Sequence, residues 1–349
     1  MKCKATVKDV ASVANVSVAT VSRVLNGNYY VSPDVENRVR AAIDALGYVQ
    51  NSIARSLKMN STHMIGYVVS DISNTYHISA ARAAEDILRN EGYSMILCST
   101  ENSQERERKY LDLMIGKNVD ALVLNTTGMN DEYIVNLNKN MPIVLVNRKI
   151  SSPEFTGDFV DTNGYEGCYH LTKLLLSIGH RKIYVLHGPQ HLSNSQERLA
   201  GFKAAMKEYD ITVDSSYPYQ FAGSFSLQSG IDAIEALCTM KDKPTAIMSQ
   251  NNMMTIGVLK GLKFRNISIP EELSLVSYDG IDNLDLMTVR PTIANFDTNI
   301  IGSQIATLLL ERIKNPELPN RNFILEPEII QGNSIGLPTD LLNRRNFKN

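Results

Sequence analysis

The chain has 349 residues, 43% of them hydrophobic and 21% charged, which is ordinary globular usage and excludes wholesale disorder. That length supplies two to three domains, and no apolar run approaches the roughly 18 residues a membrane-crossing helix needs. The net charge of −2 hides an asymmetry: residues 1–60 carry Lys2, Lys4, Lys8, Arg23, Arg38, Arg40, Arg55 and Lys58 against Asp9, Asp34, Glu36 and Asp44, a balance of +4 that leaves −6 for the rest. A basic head on an acidic body suits a phosphate-binding module joined to a soluble domain. Cys3, Cys98, Cys168 and Cys238 lie far apart with no CxxC pair, and no secretory apolar segment follows Met1. A reduced, cytoplasmic chain without metal or cofactor is expected.

In the head, Thr6 is placed to cap a first helix with Asp9 in its first turn, and Val7, Val10, Ala11 and Ala14 give that helix one apolar face. Asn15 suits a left-handed turn. Ser17 caps a second helix over 18–25 with Val21, Val24 and Leu25 pointing inward, ended by Asn26-Gly27-Asn28. Ser32-Pro33 starts a third, whose stripe is Val35, Val39, Ala42, Ile43 and Leu46 and whose stop is Gly47. Two short helices across a tight turn, braced by a third, predict a helix-turn-helix; the alternative is a plain three-helix bundle packed on the rest of the chain.

TVKDVASVANVSVATVSRVLNG, then VSPDVENRVRAAIDALGY and NSIARSL, closely resembles the N-terminal module of the LacI/GalR (lac/galactose repressor) family, and the resemblance extends over nearly the whole chain. It implies that the second helix enters a DNA major groove. By position, Val18, Ala19 and Arg23 would face base edges, with Arg23 carrying most polar readout. Ser17, Thr20, Ser22, Asn26 and Tyr30 would touch phosphates or flank bases, and Thr6 joins these DNA contacts. Asn51, Ala54 and Arg55 fall in the family's hinge, which becomes a helix on operator DNA, and Leu57 takes the place of the leucine wedged into the minor groove. Gln50 replaces the proline usual before the asparagine, which loosens the start of the hinge.

From Met64 onward apolar runs alternate with amphipathic stretches. Strands are expected at 65–69, 94–98, 121–124, 143–146, 183–186, 246–248 and 273–277. Helices are expected at 78–91, 105–117, 167–177, 197–209, 227–240 and 253–264. This βαβα alternation predicts doubly wound parallel sheets in two lobes with a ligand cleft at the strand carboxyl ends. The resemblance implies a core like that of periplasmic sugar-binding proteins, crossed three times near 161–163, 291–293 and 323–326. The expected organisation is a helix-turn-helix domain at 1–50, a hinge at 51–62, a core at 63–338 and a basic tail at 339–349. Within the core, the N-lobe takes about 63–161 and 293–323, and the C-lobe about 163–291 and 326–338.

Polar residues ending these strands fall where the family lines its effector cleft: Asn74, Tyr76, His77, Asn125, Asn147, Arg148, Arg198, Asn251, Asn252 and Asp279, with Phe296 after the Ile293 strand. Each alone reads equally as a cap or loop bond. The family often has aspartate where this chain has Asn147 and Asn252; Arg148, Arg198 and Asp279 then leave a formal +1, so an anionic effector such as a sugar acid or phosphosugar is expected. The expected protein is a transcriptional regulator of carbohydrate-related genes, a repressor binding a palindromic operator as a homodimer, with tetramers left open and no membrane partner. The apolar faces of 80–88 and 110–115 are candidates for its dimer interface. Three other readings stand beside it. Met287-Thr288-Val289-Arg290-Pro291 resembles a stretch in catabolite-control members, whose corepressor is a phosphorylated carrier protein. A solute receptor would use the cleft alone, and a sugar-processing enzyme lacks a paired acid and base. His187 and His191 are spaced like zinc ligands, but Gly188-Pro189 keeps them off a common helix face.

Overall fold

In the head, α1 (Val7–Ala14), α2 (Val18–Asn26) and α3 (Pro33–Leu46) enclose a small core of Val10, Ala11, Ala14, Val21, Val39 and Ala42. Thr6 and Asp9 form a reciprocal capping box, Asn15 turns left-handed at φ 52°, and the Thr20 amide donates to Ser17 Oγ at 3.1 Å. Gly47, at φ 57°, ends α3 as expected, whereas Ser32 makes no side-chain cap bond and leaves Pro33 to start that helix. The computed structural model describes residues 5–26, 29–48 and 61–338. Gln50, Asn51, Ala54, Arg55, Leu57, the Asn26 side chain and the basic tail lie outside the described residues. The chain divides after Thr62 into two units.

The second unit holds two six-stranded sheets. The first contains β1 (Met64–Val69), β2 (Ser94–Ser99), β3 (Ala121–Leu124), β4 (Ile143–Val146), β5 (Asp158–Thr162) and β11 (Asn322–Leu325), in the order β11-β5-β4-β3-β1-β2. The second contains β6 (Ile183–His187), β7 (Gln220–Ala222), β8 (Ala246–Ser249), β9 (Ser274–Tyr278), β10 (Thr292–Asn295) and β12 (Glu328–Ile330), in the order β12-β10-β9-β8-β6-β7. The two orders repeat one another strand for strand, and among these pairs only β10 with β12 is antiparallel. Helices cover both faces of each sheet, which is why the central strands read as unbroken apolar runs.

The first lobe takes α4 (Thr75–Asn90), α5 (Gln104–Gly116), α6 (Asp131–Asn138) and α11 (Thr298–Lys314). The second takes α7 (Gly164–Ser177), α8 (Ser193–Lys207), α9 (Leu227–Thr239) and α10 (Asn252–Phe264). Strands β5, β7, β11 and β12 and helices α6 and α11 had no counterpart in the sequence reading. Because Thr292–Asn295 pairs with β9 while α11 packs on the first sheet, the chain crosses at 296–297, later than the expected 291–293. The other crossings fall at 163 and at 326–327.

One expected docking face is covered. Ala80, Ala81, Ala84 and Leu88 are buried against α11, which approaches so closely that a Cβ at Gly302 would lie 2.3 Å from the Ala80 carbonyl oxygen. Exposed apolar side chains on this lobe include Ile78, Leu97 and, on the other expected face at 110–115, Leu113 and Ile115. Asp158, fully buried at the start of β5, accepts hydrogen bonds from Arg312 and Arg321, which tie α11 and β11 to that strand.

Candidate functional site

Two places gather the expected functional residues. On α2, Val18, Ala19 and Arg23 are exposed, while Ser17 and Thr20 share a hydroxyl–hydroxyl bond of 2.9 Å. Tyr29 and Tyr30 are 72% and 90% exposed, and the Arg23 guanidinium lies 5.7 Å from the Tyr29 ring centroid, held over its face. No carboxylate pairs with Arg23 among the described residues, whereas Arg38 and Arg40 of α3 are paired to Asp34 and Glu36. Arg23 is thus an exposed cation on α2 with no carboxylate partner among the described residues. Thr6 is spent on the capping box, its hydroxyl donating to Asp9 Oδ2 at 2.7 Å. Ser22 is half-buried on the same helix.

The second place lies between the sheets, where strand ends of both lobes converge on a cavity of about 40 Å³. Asn74, Tyr76, His77, Asn125, Asn147, Arg148, Arg198, Asn251 and Asp279 all line it, joined by Ser70, Asp71, Asn102, Asn194 and Phe225, which were not among the expected residues. Asn147 and Asp279 occupy equivalent positions after β4 and β9, and both are left-handed, at φ 62° and 70°. That conformation is uncommon outside glycine, and Asn and Asp are among the residues that adopt it most readily. Phe296 is elsewhere: it packs on Tyr278 at 5.3 Å and faces a separate cavity of about 550 Å³ on the crossover side.

The two arginines are held from behind. Arg148 donates to the Thr126 carbonyl at 2.8 Å and to Asn102 Oδ1 at 2.9 Å. Arg198 donates to the Gln250 carbonyl at 2.7 Å, faces Asp279 at 3.7 Å and stacks 3.9 Å from the Tyr278 ring centroid. Burial, with Arg148 beside it, pushes the His77 imidazole down to about 3, so it is neutral at ordinary pH. The wall therefore carries Asp71 and Asp279 against Arg148 and Arg198. Glu107, fully buried behind it and bonded to Thr127 and Asn130, adds a further negative charge facing Arg148. The expected +1 counted Arg148, Arg198 and Asp279 alone; Asp71 and Glu107 lie around the same cavity, and burial pushes the Asp279 carboxyl up against the pull of Arg198.

Several buried polar atoms have no hydrogen-bond partner in the protein: Asn125 Oδ1, Asn147 Oδ1, Asn194 Oδ1, Arg148 Nε, Arg198 Nε and both amide atoms of Gln250. Asn125 Nδ2 donates to the Val146 carbonyl at 2.8 Å, and Asn147 Nδ2 donates to the Tyr76 hydroxyl at 3.0 Å and Asp161 Oδ1 at 3.2 Å. Those acceptors fix the amide orientations and leave the oxygens of both asparagines free to accept. Each buried orphan costs about 1–3 kcal/mol; those on Asn125, Asn147, Asn194, Arg148 and Arg198 belong to residues that line this cavity, whereas Gln250 lies outside its lining. Asn74 and Asn252 differ, because every polar atom of both side chains is engaged within the protein. Phe225, at φ 59° after the three-residue β7, is the residue sequence reasoning had least chance of finding; Gln250 adjoins Asn251 and Asn194 lies one helical turn before Arg198, so both could have been added. Among the described residues no His, Cys, Asp or Glu cluster is arranged to hold a metal, and no helix is long and apolar enough to cross a membrane.

Comparison with known proteins matches both units of the chain. Residues 62–330 match the profile described as periplasmic binding proteins and sugar binding domain of LacI family, and residues 6–51 match that of bacterial regulatory proteins, lacI family. A transcriptional repressor of Vibrio vulnificus, the helix-turn-helix type repressor PurR, is 32% identical over 93% of this chain and 97% of its own. The PurR repressor of Photobacterium profundum is 32% identical over 95% of this chain and 98% of its own. Among solved structures, the transcriptional regulator CelR in complex with cellobiose is similar over 95% of this chain and 99% of that one, at 26% identity and a TM-score of 0.71. A LacI family transcriptional regulator from Enterococcus faecium with bound ribose covers 78% of this chain and 99% of its own, at 27% identity and a TM-score of 0.70.

Proposed function

Because the chain belongs to the LacI family of bacterial transcription regulators, we propose that it represses carbohydrate-related genes by binding a palindromic operator as a homodimer in the cytoplasm, under control of a small neutral polyhydroxylated effector held between the lobes. The observation that carries the effector reading is the ring of unpartnered atoms on the inner cavity, Asn125 Oδ1, Asn147 Oδ1, Asn194 Oδ1, Arg148 Nε and Arg198 Nε. Three free amide oxygens require a ligand that donates, and two guanidinium nitrogens require one that also accepts; adjacent hydroxyls do both. The anionic group of a sugar acid or phosphosugar would not itself meet those oxygens, and Asp71, Asp279 and Glu107 lie around the arginines, which favours a neutral ligand whose hydroxyls do both. The cellobiose and ribose in the two related structures are of the favoured class.

A cavity of about 40 Å³ holds about three waters, not a sugar, so the lobes open to admit the effector and close on it. A ligand that binds one arrangement better shifts the lobes, and by linkage effector and operator change each other's affinity equally, by about 1–3 kcal/mol. Calorimetric titration of the full chain with neutral pentoses, hexoses and disaccharides, against sugar acids and phosphosugars, tests the effector class. Saturable heat with a neutral sugar is expected. Binding confined to the anionic compounds would overturn it.

A further inference from the structure

We infer that Asn74 and Asn252 are a bolt between the lobes that sets how far the cleft closes, and are not contacts to the effector. Asn74 caps α4 in the first lobe and Asn252 opens α10 in the second, 178 residues further along. Asn74 Nδ2 donates to Asn252 Oδ1 at 3.1 Å, and Asn252 Nδ2 donates back to Asn74 Oδ1 at 2.9 Å. Neither amide is free to flip: the Tyr76 amide donates to Asn74 Oδ1 at 3.0 Å, and the Met253 amide donates to Asn252 Oδ1 at 2.8 Å. The reciprocal pair is therefore dictated by the two helix starts. It is also buried, with Asn74 6% and Asn252 2% exposed.

The other bonds between the lobes are weaker candidates for this role: the buried Thr162–Tyr278 hydroxyl pair, at 2.7 Å, sits beside the crossing at 163. Lys149 bridges to the second lobe twice, its amide donating to Ser193 Oγ at 2.8 Å and its Nζ pairing with Glu197 at 3.1 Å, but both lie in solvent. Exposed ion pairs contribute little, whereas a buried amide left alone by opening must find water or stay unpaired. Opening thus exposes two amides at once, and closing restores two bonds at once. The division of labour with the neighbours is clean: Asn125, Asn147 and Asn194 keep an oxygen free for a ligand, while Asn74 and Asn252 keep none.

The inference rests on the proposed cleft, but its test uses the full chain without any effector. Asn74→Ser and Asn252→Ser shorten each side chain so that it cannot reach across; serine at 74 still caps α4, and Asn251 still caps α10. Hydrogen exchange at the Lys149 amide, which donates to Ser193 Oγ on the other lobe, reports opening away from the substituted residues. Each single variant is expected to exchange at Lys149 roughly tenfold faster than the parent. Thermal midpoints should shift little, and the double variant should match the faster single one, because both bonds belong to one pair. Parent-like exchange at Lys149 in both single variants, or effects that multiply in the double variant, would overturn the bolt. Failure of every sugar to bind the parent would instead strike the effector reading and leave this result standing.

Discussion

Asp161, one residue from the end of β5 and 2% exposed, offers a test of the account through pH alone. Burial pushes its carboxyl up to about 7 from the ordinary 3.8; the Thr162 amide and the nearby Arg198 and Lys149 pull it down, and Glu197 pushes it further up. The folded chain holds a proton that the unfolded chain releases near pH 4. The stability this carboxyl contributes is therefore full below that pH, falls as pH rises between about 4 and 7, and is level beyond. A separation of about three units corresponds to about 4 kcal/mol, or on the order of 10 °C in the midpoint of a core this size. Asp161→Asn keeps an acceptor for the Thr162 amide and abolishes the titration. Thermal unfolding of parent and variant should give curves that diverge steadily from pH 4 to 7, the variant becoming the more stable. Parallel curves over that range would refute the reasoning, because the carboxyl would then be ionised in the folded state at no cost.

Arg23→Ala should relax base preference on the best operator by about 1–3 kcal/mol, and Tyr29→Ala should lose part of the same preference by freeing Arg23; competition among duplexes reads both. At Gly188 a Cβ would fall 2.1 Å from the Phe225 ring, so Gly188→Ala should displace Phe225 from the cavity wall and weaken effector binding at least tenfold by calorimetry. Asp158→Asn leaves Arg312, only 4% exposed, without its countercharge and should cost about 3–5 kcal/mol in denaturant unfolding.

The head was legible almost to the residue because its signals are local: Thr6, Asn15, Pro33 and Gly47 each act within one turn of where they stand. Central strands such as Ala121–Leu124 and Ile143–Val146 were equally plain, since burial on both faces demands an apolar run. Strand β5 was not, because its acid ends in DFVDT read as solvent-facing until Arg312 and Arg321, 154 and 163 residues away, are seen on Asp158. The candidate site divides the same way. Strand-end polar residues could be picked out from their positions, but whether an asparagine is free or spent depends on a partner far along the chain, as Asn74 and Asn252 show. Glu107 sits in QERERKY, which reads as an exposed helix face, yet it is fully buried and offsets Arg148. Phe296 followed a strand as expected, but the crossing at 296–297 turns it toward the other cavity.

The most direct test of the whole is the affinity of the full chain for double-stranded oligomers recovered from a random pool, followed by fluorescence anisotropy as salt is raised. A palindromic site should emerge, and if the paired heads meet six to ten phosphates, binding should weaken by about 10³–10⁵ between 50 and 200 mM salt. A chain that binds no duplex at low ionic strength, with sugars present or absent, would contradict the account at its root.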